Sequence, residues 1–220
     1  MREDLVRGPV PPRLLLLDMD GTLTTVLSPW QFVHERLGVW EPAGKELVRS
    51  FLASELGYVD FCNRDVELWN ELGVTLEQVH EVLGQIPVPQ CTVDFLRSAH
   101  EAGIAMAIVS SGFSATASRI MTLSGLPDQS VKIASNRLYK DSDGKVAVEL
   151  IVGDDKEIPG KAHWSAKFMA ACGVTREEVA AVGDTSADEP MFRASGRWAK
   201  VRGPEDLATL GWFPLRGKSA

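Results

Sequence analysis

The sequence predicts an α/β protein: a doubly wound, Rossmann-like parallel sheet core that carries an inserted α-helical cap and a small β-hairpin. Three observations predict it. Short apolar runs at Leu14–Leu17, in IAMAIVSSG (104–112) and in VAAVGD (179–184) each end in small or acidic residues, the form of a strand buried on both faces. Helical patterns separate the later runs, and alternating strands and helices of this kind wind into a parallel sheet. The stretch from 25 to 88 carries helical patterns and no convincing strand.

Taken in order, residues 1–13 form an irregular lead-in, because Pro9, Pro11 and Pro12 delay regular structure until Arg13. Leu14–Leu17 is the first strand. In the insert, Ser28, Pro29 and Gln31 form a capping box with proline at the first helical position, and Thr75 with Gln78 repeats the box before a helix ending at Gly84. KELVRSFLASELG and DFCNRDVELWNELG supply two more helices between them. Since the insert leaves the sheet just after an acidic pair, it should sit over that pair as a lid. CTVDFLRSAHEAG, FSATASRIMTLSG and KAHWSAKFMAACG are the helices of the core. The stretch from about Lys132 to Val152 alternates around an Asp143–Gly144 turn and reads as a hairpin laid against the sheet. The domains are therefore 14–24 plus 89–220 for the core and 25–88 for the cap.

Composition narrows the function. The 220 residues carry a net charge of −7 and no basic run, which excludes a phosphate-tracking nucleic-acid surface. Cys62, Cys91 and Cys172 lack metal or disulfide spacing. MREDLVRGPVPPR has acids and prolines where a signal peptide needs an apolar stretch, and no apolar run is long enough to span a membrane, so a cytoplasmic protein is expected.

The chemistry is carried by acids at strand ends. In DMDGT, Asp18 and Asp20 reach one site only if the strand stops at Asp18 and Gly21 permits a turn that brings Asp20 round. An ordinary Asp-Gly turn is the other reading. VGDTSADEPMF ends a strand in Asp184 and places Asp188 at a helix start, where either acid can also be a simple cap. Four converging carboxylates need a cation, and oxygen-only ligands favour Mg2+. Ser110, Ser111 and Gly112, between a strand and a helix, suit a phosphate, although Ser-Ser-Gly is also common loop chemistry. Lys161, behind Pro159 and Gly160, is a fixed positive charge for a phosphoryl group or a solvated lysine.

DMDGTLT, a helical insert, VSSGF, ASNRLYKDSDGK, Lys161 and GDTSADEPM occur in an order that resembles the haloacid dehalogenase (HAD) superfamily, in its phosphoserine phosphatase-like branch with a helical cap. The resemblance implies Asp18 as nucleophile and Asp20 as proton donor and acceptor. It implies Mg2+ held by Asp18, the Asp20 carbonyl and Asp184, with Asp188 close by, through water or as an orienting partner of Lys161. Ser110 and Lys161 would hold phosphoryl oxygens. Asp20 disfavours the dehalogenating members, and Lys45, the insert's lysine, reads as solvated rather than as a Schiff base. The chain departs from the branch at Leu27, where relatives carry a substrate-binding glutamate, at Ala187, where asparagine is common, and at Ser111, which replaces a glycine.

In the cap, a helix through DFCNRDVELWNEL puts Phe61, Cys62, Val66, Leu68, Trp69 and Leu72 on one face with Asp65 in its middle. Asp65 is either satisfied inside the cap or reads a polar part of the substrate; Arg64 beside it is a substrate contact or a solvated residue. Trp30, Trp40 and Trp69 stack on a ring or pack. The function expected is a Mg2+-dependent phosphatase that hydrolyses a small phosphorylated metabolite through an aspartyl-phosphate. The alternatives are phosphotransfer to a small acceptor and a catalytically silent protein that binds a phosphorylated ligand. Oligomeric state is left open.

Overall fold

A computed structural model describes residues 10–127, 129–153 and 157–215. The lead-in up to Pro9 lies outside the described residues. Ordered pairing begins at Leu14, and strand β1 (Leu14–Leu17) is buried along its whole length. It pairs in parallel with β2 (Ala105–Phe113) on one side and with β5 (Val179–Gly183) on the other. Six strands run in the order β4-β3-β2-β1-β5-β6, all parallel except β4.

The four leucines explain why both faces of the sheet are covered. Leu15 and Leu17 pack with Phe95 and Leu96 of α5 (Gln90–Glu101) and Ile120 of α6 (Ser114–Ser124). Leu14 and Leu16 point to the other face, against Phe168 of α7 (Lys161–Cys172) and Phe192 of α8 (Glu189–Ala194). Each fully buried leucine contributes about 2 kcal/mol relative to exposure. A polar residue anywhere in the run would meet an apolar layer. The chain crosses from β3 back past β1 to β5, so the β1–β5 boundary is where the winding reverses. In such sheets the crevice outside the strand ends at that boundary is the ligand site.

The hairpin differs from the sequence expectation. It is not laid against the sheet but continues it. The first part of β3 (Val131–Lys140) pairs with β2, while Arg137–Lys140 overhang β2 and pair with β4 (Val146–Glu149). Its turn is organised by Asp141, whose Oδ1 accepts from the amides of Asp143 and Lys145 at 2.9 Å each, with Gly144 at φ +79°. Alternation along 132–152 reported two strands but not that the first outlasts its neighbour. β6 (Arg197–Lys200) completes the far edge.

Helices α1 (Pro29–Leu37), α2 (Lys45–Leu52), α3 (Tyr58–Glu71) and α4 (Leu76–Leu83) share an apolar cluster built on Trp30, Phe61, Val66, Trp69 and Leu83. Phe113, Leu138 and Val146 of the sheet join it, so the β3–β4 overhang is the platform on which this helical layer rests. Asn70 fastens it by accepting from the Val146 amide at 3.0 Å and donating to the Val146 carbonyl at 2.8 Å. Thr75 and Gln78 form both arms of a capping box. Ser28 caps the Gln31 amide at 3.3 Å, but the Gln31 side chain turns to Glu35 at 2.7 Å instead of returning to the cap, so only one arm of that expected box exists.

Candidate active site

Asp18 follows β1 directly, and its amide still pairs with the Val182 carbonyl at 2.9 Å. The amides of Thr22, Leu23 and Thr24 then fold back onto the Met19 carbonyl, and Gly21, at φ +78°, makes the reversal. A Cβ at Gly21 would lie 2.3 Å from Asp184 Oδ2, so the residue must lack a side chain for reasons of space as well as conformation. The turn brings Asp20 beneath β2. Ser110 Oγ donates to Asp20 Oδ2 at 2.7 Å and accepts from the Gly112 amide at 2.8 Å. A Cβ at Gly112 would stand 2.1 Å from Asp20 Oδ2, which explains the second glycine.

Asp184 follows β5, and Asp188 sits on the next turn, fully buried. One carboxylate oxygen from each of Asp18, Asp184 and Asp188 lies within 4.8 Å of the others. Lys161, the first residue of α7, reaches between them and donates to Asp18 Oδ1 and to Asp188 Oδ1 at 2.6 Å each. The other oxygen of Asp188 accepts from the amides of Asp184 and Thr185 at 3.0 Å each. Both Asp188 oxygens are thus engaged, one by Lys161 and the other by the turn after β5. Thr22, absent from the sequence reading, is fully buried and donates to Asp184 Oδ1 at 3.4 Å. Its only sequence signal was a hydroxyl beside Gly21.

The electrostatics follow from burial. Burial, the largest effect, pushes the Asp18 carboxyl up; Lys161 opposes this, while Asp188 and Asp20 add to it. Burial raises Asp20 to about 7 against the opposing Ser110 hydrogen bond and the Lys161 charge. Asp184 is raised by burial and by Asp188. Burial alone would lower Lys161, but Asp18 and Asp188 reverse this and leave its ammonium raised. Asp20 Oδ1 is buried without a hydrogen-bond partner among the described residues.

The donor set fits a hard divalent cation: clustered carboxylates, no sulfur or imidazole, and one lysine that offsets only part of their charge. Ser111 is exposed at the irregularity near the end of β2, and its carbonyl accepts from Asn136 at 2.8 Å and Trp30 Nε1 at 3.5 Å. Ala187 is exposed, with its amide on Thr185 Oγ1. Leu27 is 73% exposed, and its Cδ2 is 2.8 Å from where a Gly21 Cβ would stand, beside Asp184.

The residues singled out in α3 go elsewhere. Asp65 is buried and pairs with His34 Nε2 at 2.7 Å inside the helical layer. Arg64 is exposed, and no hydrogen bond among the described residues seats it in the crevice. Leu72 lies past the helix end and is 57% exposed, so it leaves the apolar face assigned to it. Lys45 is exposed and paired with Glu41 at 2.9 Å. Trp30 and Trp69 stack on each other at 5.8 Å within the apolar cluster. No described helix is long and apolar enough to cross a membrane.

A family model described as haloacid dehalogenase-like hydrolase matches residues 12–196. The phosphoserine phosphatase of Archaeoglobus fulgidus is 27% identical over 187 residues, which cover 84% of this chain and 51% of that protein, so the chain spans about half the length of this relative. The phosphoserine phosphatase of Methanocaldococcus jannaschii is 24% identical over 187 residues, covering 84% of this chain and 82% of that one. Among solved structures, an apo phosphoserine phosphatase superposes with a TM-score of 0.68 at 21% identity, covering 90% of this chain and 98% of the other. A phospho-aspartyl intermediate analogue of phosphoserine phosphatase gives 0.67 at 23% identity, with 90% of each chain covered. At these identities the structural likeness establishes the fold.

Proposed function

The chain belongs to the haloacid dehalogenase-like hydrolases, and from that premise we propose that it falls in their phosphoserine phosphatase-like branch and hydrolyses the phosphate monoester of a small metabolite. The observation that carries the proposal is Lys161 bridging Asp18 and Asp188 at 2.6 Å each, beside Asp184, in the crevice where the sheet reverses its winding.

Asp18 attacks phosphorus, forming an aspartyl-phosphate as the ester P–O bond breaks. The departing oxygen takes a proton from Asp20, whose carboxyl, raised to about 7, still holds one near neutral pH. Ser110 occupies Oδ2, which leaves the unpartnered Oδ1 as the transferring atom. Water then attacks the phosphorus, Asp20 accepts its proton, and the Asp18–phosphorus bond opens. Lys161 keeps its charge throughout and turns from Asp18 toward the phosphoryl oxygens as they arrive. Mg2+, held by the Asp18 and Asp184 carboxylates and the Asp20 main-chain carbonyl, would supply further charge neutralisation. The helical layer serves as the cap that shields the crevice.

The substrate is a small phosphorylated metabolite, and Leu27 argues against phosphoserine. Leu27 is exposed beside Asp184, near the position where the resemblance implies a glutamate for the substrate's ammonium group. Turnover of p-nitrophenyl phosphate with Mg2+, and its loss with EDTA, tests the reaction class. Asp18→Asn is expected to abolish turnover in a folded protein, and substantial residual activity would reject Asp18 as nucleophile. A screen of phosphorylated metabolites that includes phosphoserine then tests Leu27.

A further inference from the structure

Asn136 is fully buried on β3, at the point where the β2–β3 register shifts. It sits opposite Phe113, just past the bulge that carries Ser111 and Gly112. All four of its hydrogen-bond valences are filled. Oδ1 accepts from the amides of Ile151 and Val152 at 2.7 and 3.0 Å, an arrangement that fixes which end of the side chain is oxygen. Nδ2 donates to the Ser111 carbonyl at 2.8 Å and to Tyr58 Oη at 3.0 Å. Tyr58, the first residue of α3, passes its own proton on to the Val152 carbonyl at 3.0 Å. Its ring also packs where a Cβ at Gly153 would stand, 2.8 Å from Tyr58 Cε1.

One amide side chain therefore holds three pieces of backbone that are far apart in sequence. These are the bulge beside Ser110, the segment at 151–153 ahead of Lys161, and, through Tyr58, the helical layer. We propose that Asn136 is a positioning residue, held in register by Tyr58, which sets the Ser110–Gly112 bulge of β2 and the 151–153 segment relative to each other only while α3 is docked. It touches none of the reacting groups. A buried amide that loses one partner leaves donors and acceptors unsatisfied, so loss of the Tyr58 hydroxyl is felt at both backbone segments rather than at α3 alone. The 151–153 segment has a second tie, Trp164 Nε1 to the Ile151 carbonyl at 2.8 Å, so it loosens without unfolding.

The test uses the full chain with Tyr58→Phe, which keeps the ring and removes the hydroxyl. Tyr139→Phe, an exposed tyrosine on β3, is the control. Amide hydrogen exchange at Gly112, Ile151 and Val152 is expected to quicken about tenfold in Tyr58→Phe and not in the control, by more than the accompanying loss of global stability in urea unfolding accounts for. Exchange that quickens only within α3 would overturn the proposal. Asn136→Asp sharpens it: a carboxylate cannot donate to either Tyr58 Oη or the Ser111 carbonyl, so Gly112, Ile151 and Val152 are all expected to quicken at least as much as in Tyr58→Phe. If that variant does not fold, Tyr58→Phe decides.

The kinetic arm rests on the phosphatase reading. With p-nitrophenyl phosphate and Mg2+, Tyr58→Phe is expected to lower kcat about tenfold with KM nearly unchanged, as misplaced loops would. A rise in KM at constant kcat would show that Tyr58 only helps retain substrate, and would overturn the positioning role. A wild-type protein without turnover would sink the phosphatase reading, and the exchange experiment would still decide this one.

Discussion

Asp188 in the crevice and Asp65 in the helical layer are equally removed from water, at 0% and 1% exposure, yet they are satisfied in opposite ways. Asp188 receives a full charge from Lys161 on one oxygen and two backbone amides on the other. Asp65 receives one hydrogen bond, from His34, and its Oδ2 has no partner among the described residues. The Trp69 indole donates to His34 Nδ1 at 3.3 Å, and an indole N–H can only donate, so the imidazole proton sits on Nε2, facing Asp65. The first arrangement opens onto Asp18 and Asp184; the second closes on itself among Trp30, Val66 and Trp69. Burial of a carboxylate alone therefore does not mark a reactive site. What marks it is surplus charge left facing a crevice.

The largest test of that contrast removes the crevice cation. Lys161→Met leaves Asp18 and Asp188 uncompensated, and it is expected to cut kcat by about 10²–10³-fold and stability by about 3 kcal/mol. A variant that keeps near-normal turnover would place the lysine outside the chemistry. The matching lesion in the helical layer is His34→Ala, which strands Asp65. Urea unfolding is expected to show a loss of about 2–3 kcal/mol, with kcat of the folded fraction unchanged. Replacing both partners, His34→Leu with Asp65→Leu, should recover part of that loss, because no stranded charge remains and the Trp69 indole N–H, without its His34 acceptor, leaves a cost of about 1–2 kcal/mol. If kcat falls with the double replacement, the pair is not self-contained.

The smallest effect is in pH. Burial raises Asp18, Asp20, Asp184 and Asp65 above the ordinary aspartate value, so the folded chain holds protons that the unfolded chain has lost. Their contribution to stability is complete below the ordinary value of 3.8 and is lost as pH rises, through about 7 for Asp20. The metal-free protein should thus melt several degrees lower at pH 8 than at pH 5. Mg2+ replaces protons in the crevice only, so it should restore most of this loss, and Asp65→Leu should remove the remainder. A metal-free melting point that is level across this window would show that the crevice carboxylates are not desolvated as their burial implies.

Legibility followed the range of the interactions involved. The runs at 14–17, 104–112 and 179–184 announced strands β1, β2 and β5 because a strand buried on both faces must be apolar at every position. Asp18, Asp20 and Asp184 stood out because those strands ended in charge. Asn136 and Thr22 did not, since a buried amide or hydroxyl looks like any loop residue until its partners are known. The β3–β4 pair was read as two strands but misplaced, because alternation records which residues face a layer and not which neighbour supplies the edge. The Ser28–Gln31 box formed only one arm, because the Gln31 side chain extends along the helix to donate from Nε2 to Glu35 and its oxygen does not return to the Ser28 amide.

The amino-acid order by itself determined the layers and the ends of the strands, since local periodicity and the cost of burying charge act over a few residues. Only the folded chain decided that Asp188 pairs with Lys161, that Asp65 pairs with His34 inside the helical layer, and that one asparagine bonds three distant segments. Each of those outcomes depends on which groups meet across long separations in sequence, and buried hydrogen bonds are settled by the partners that happen to be in reach.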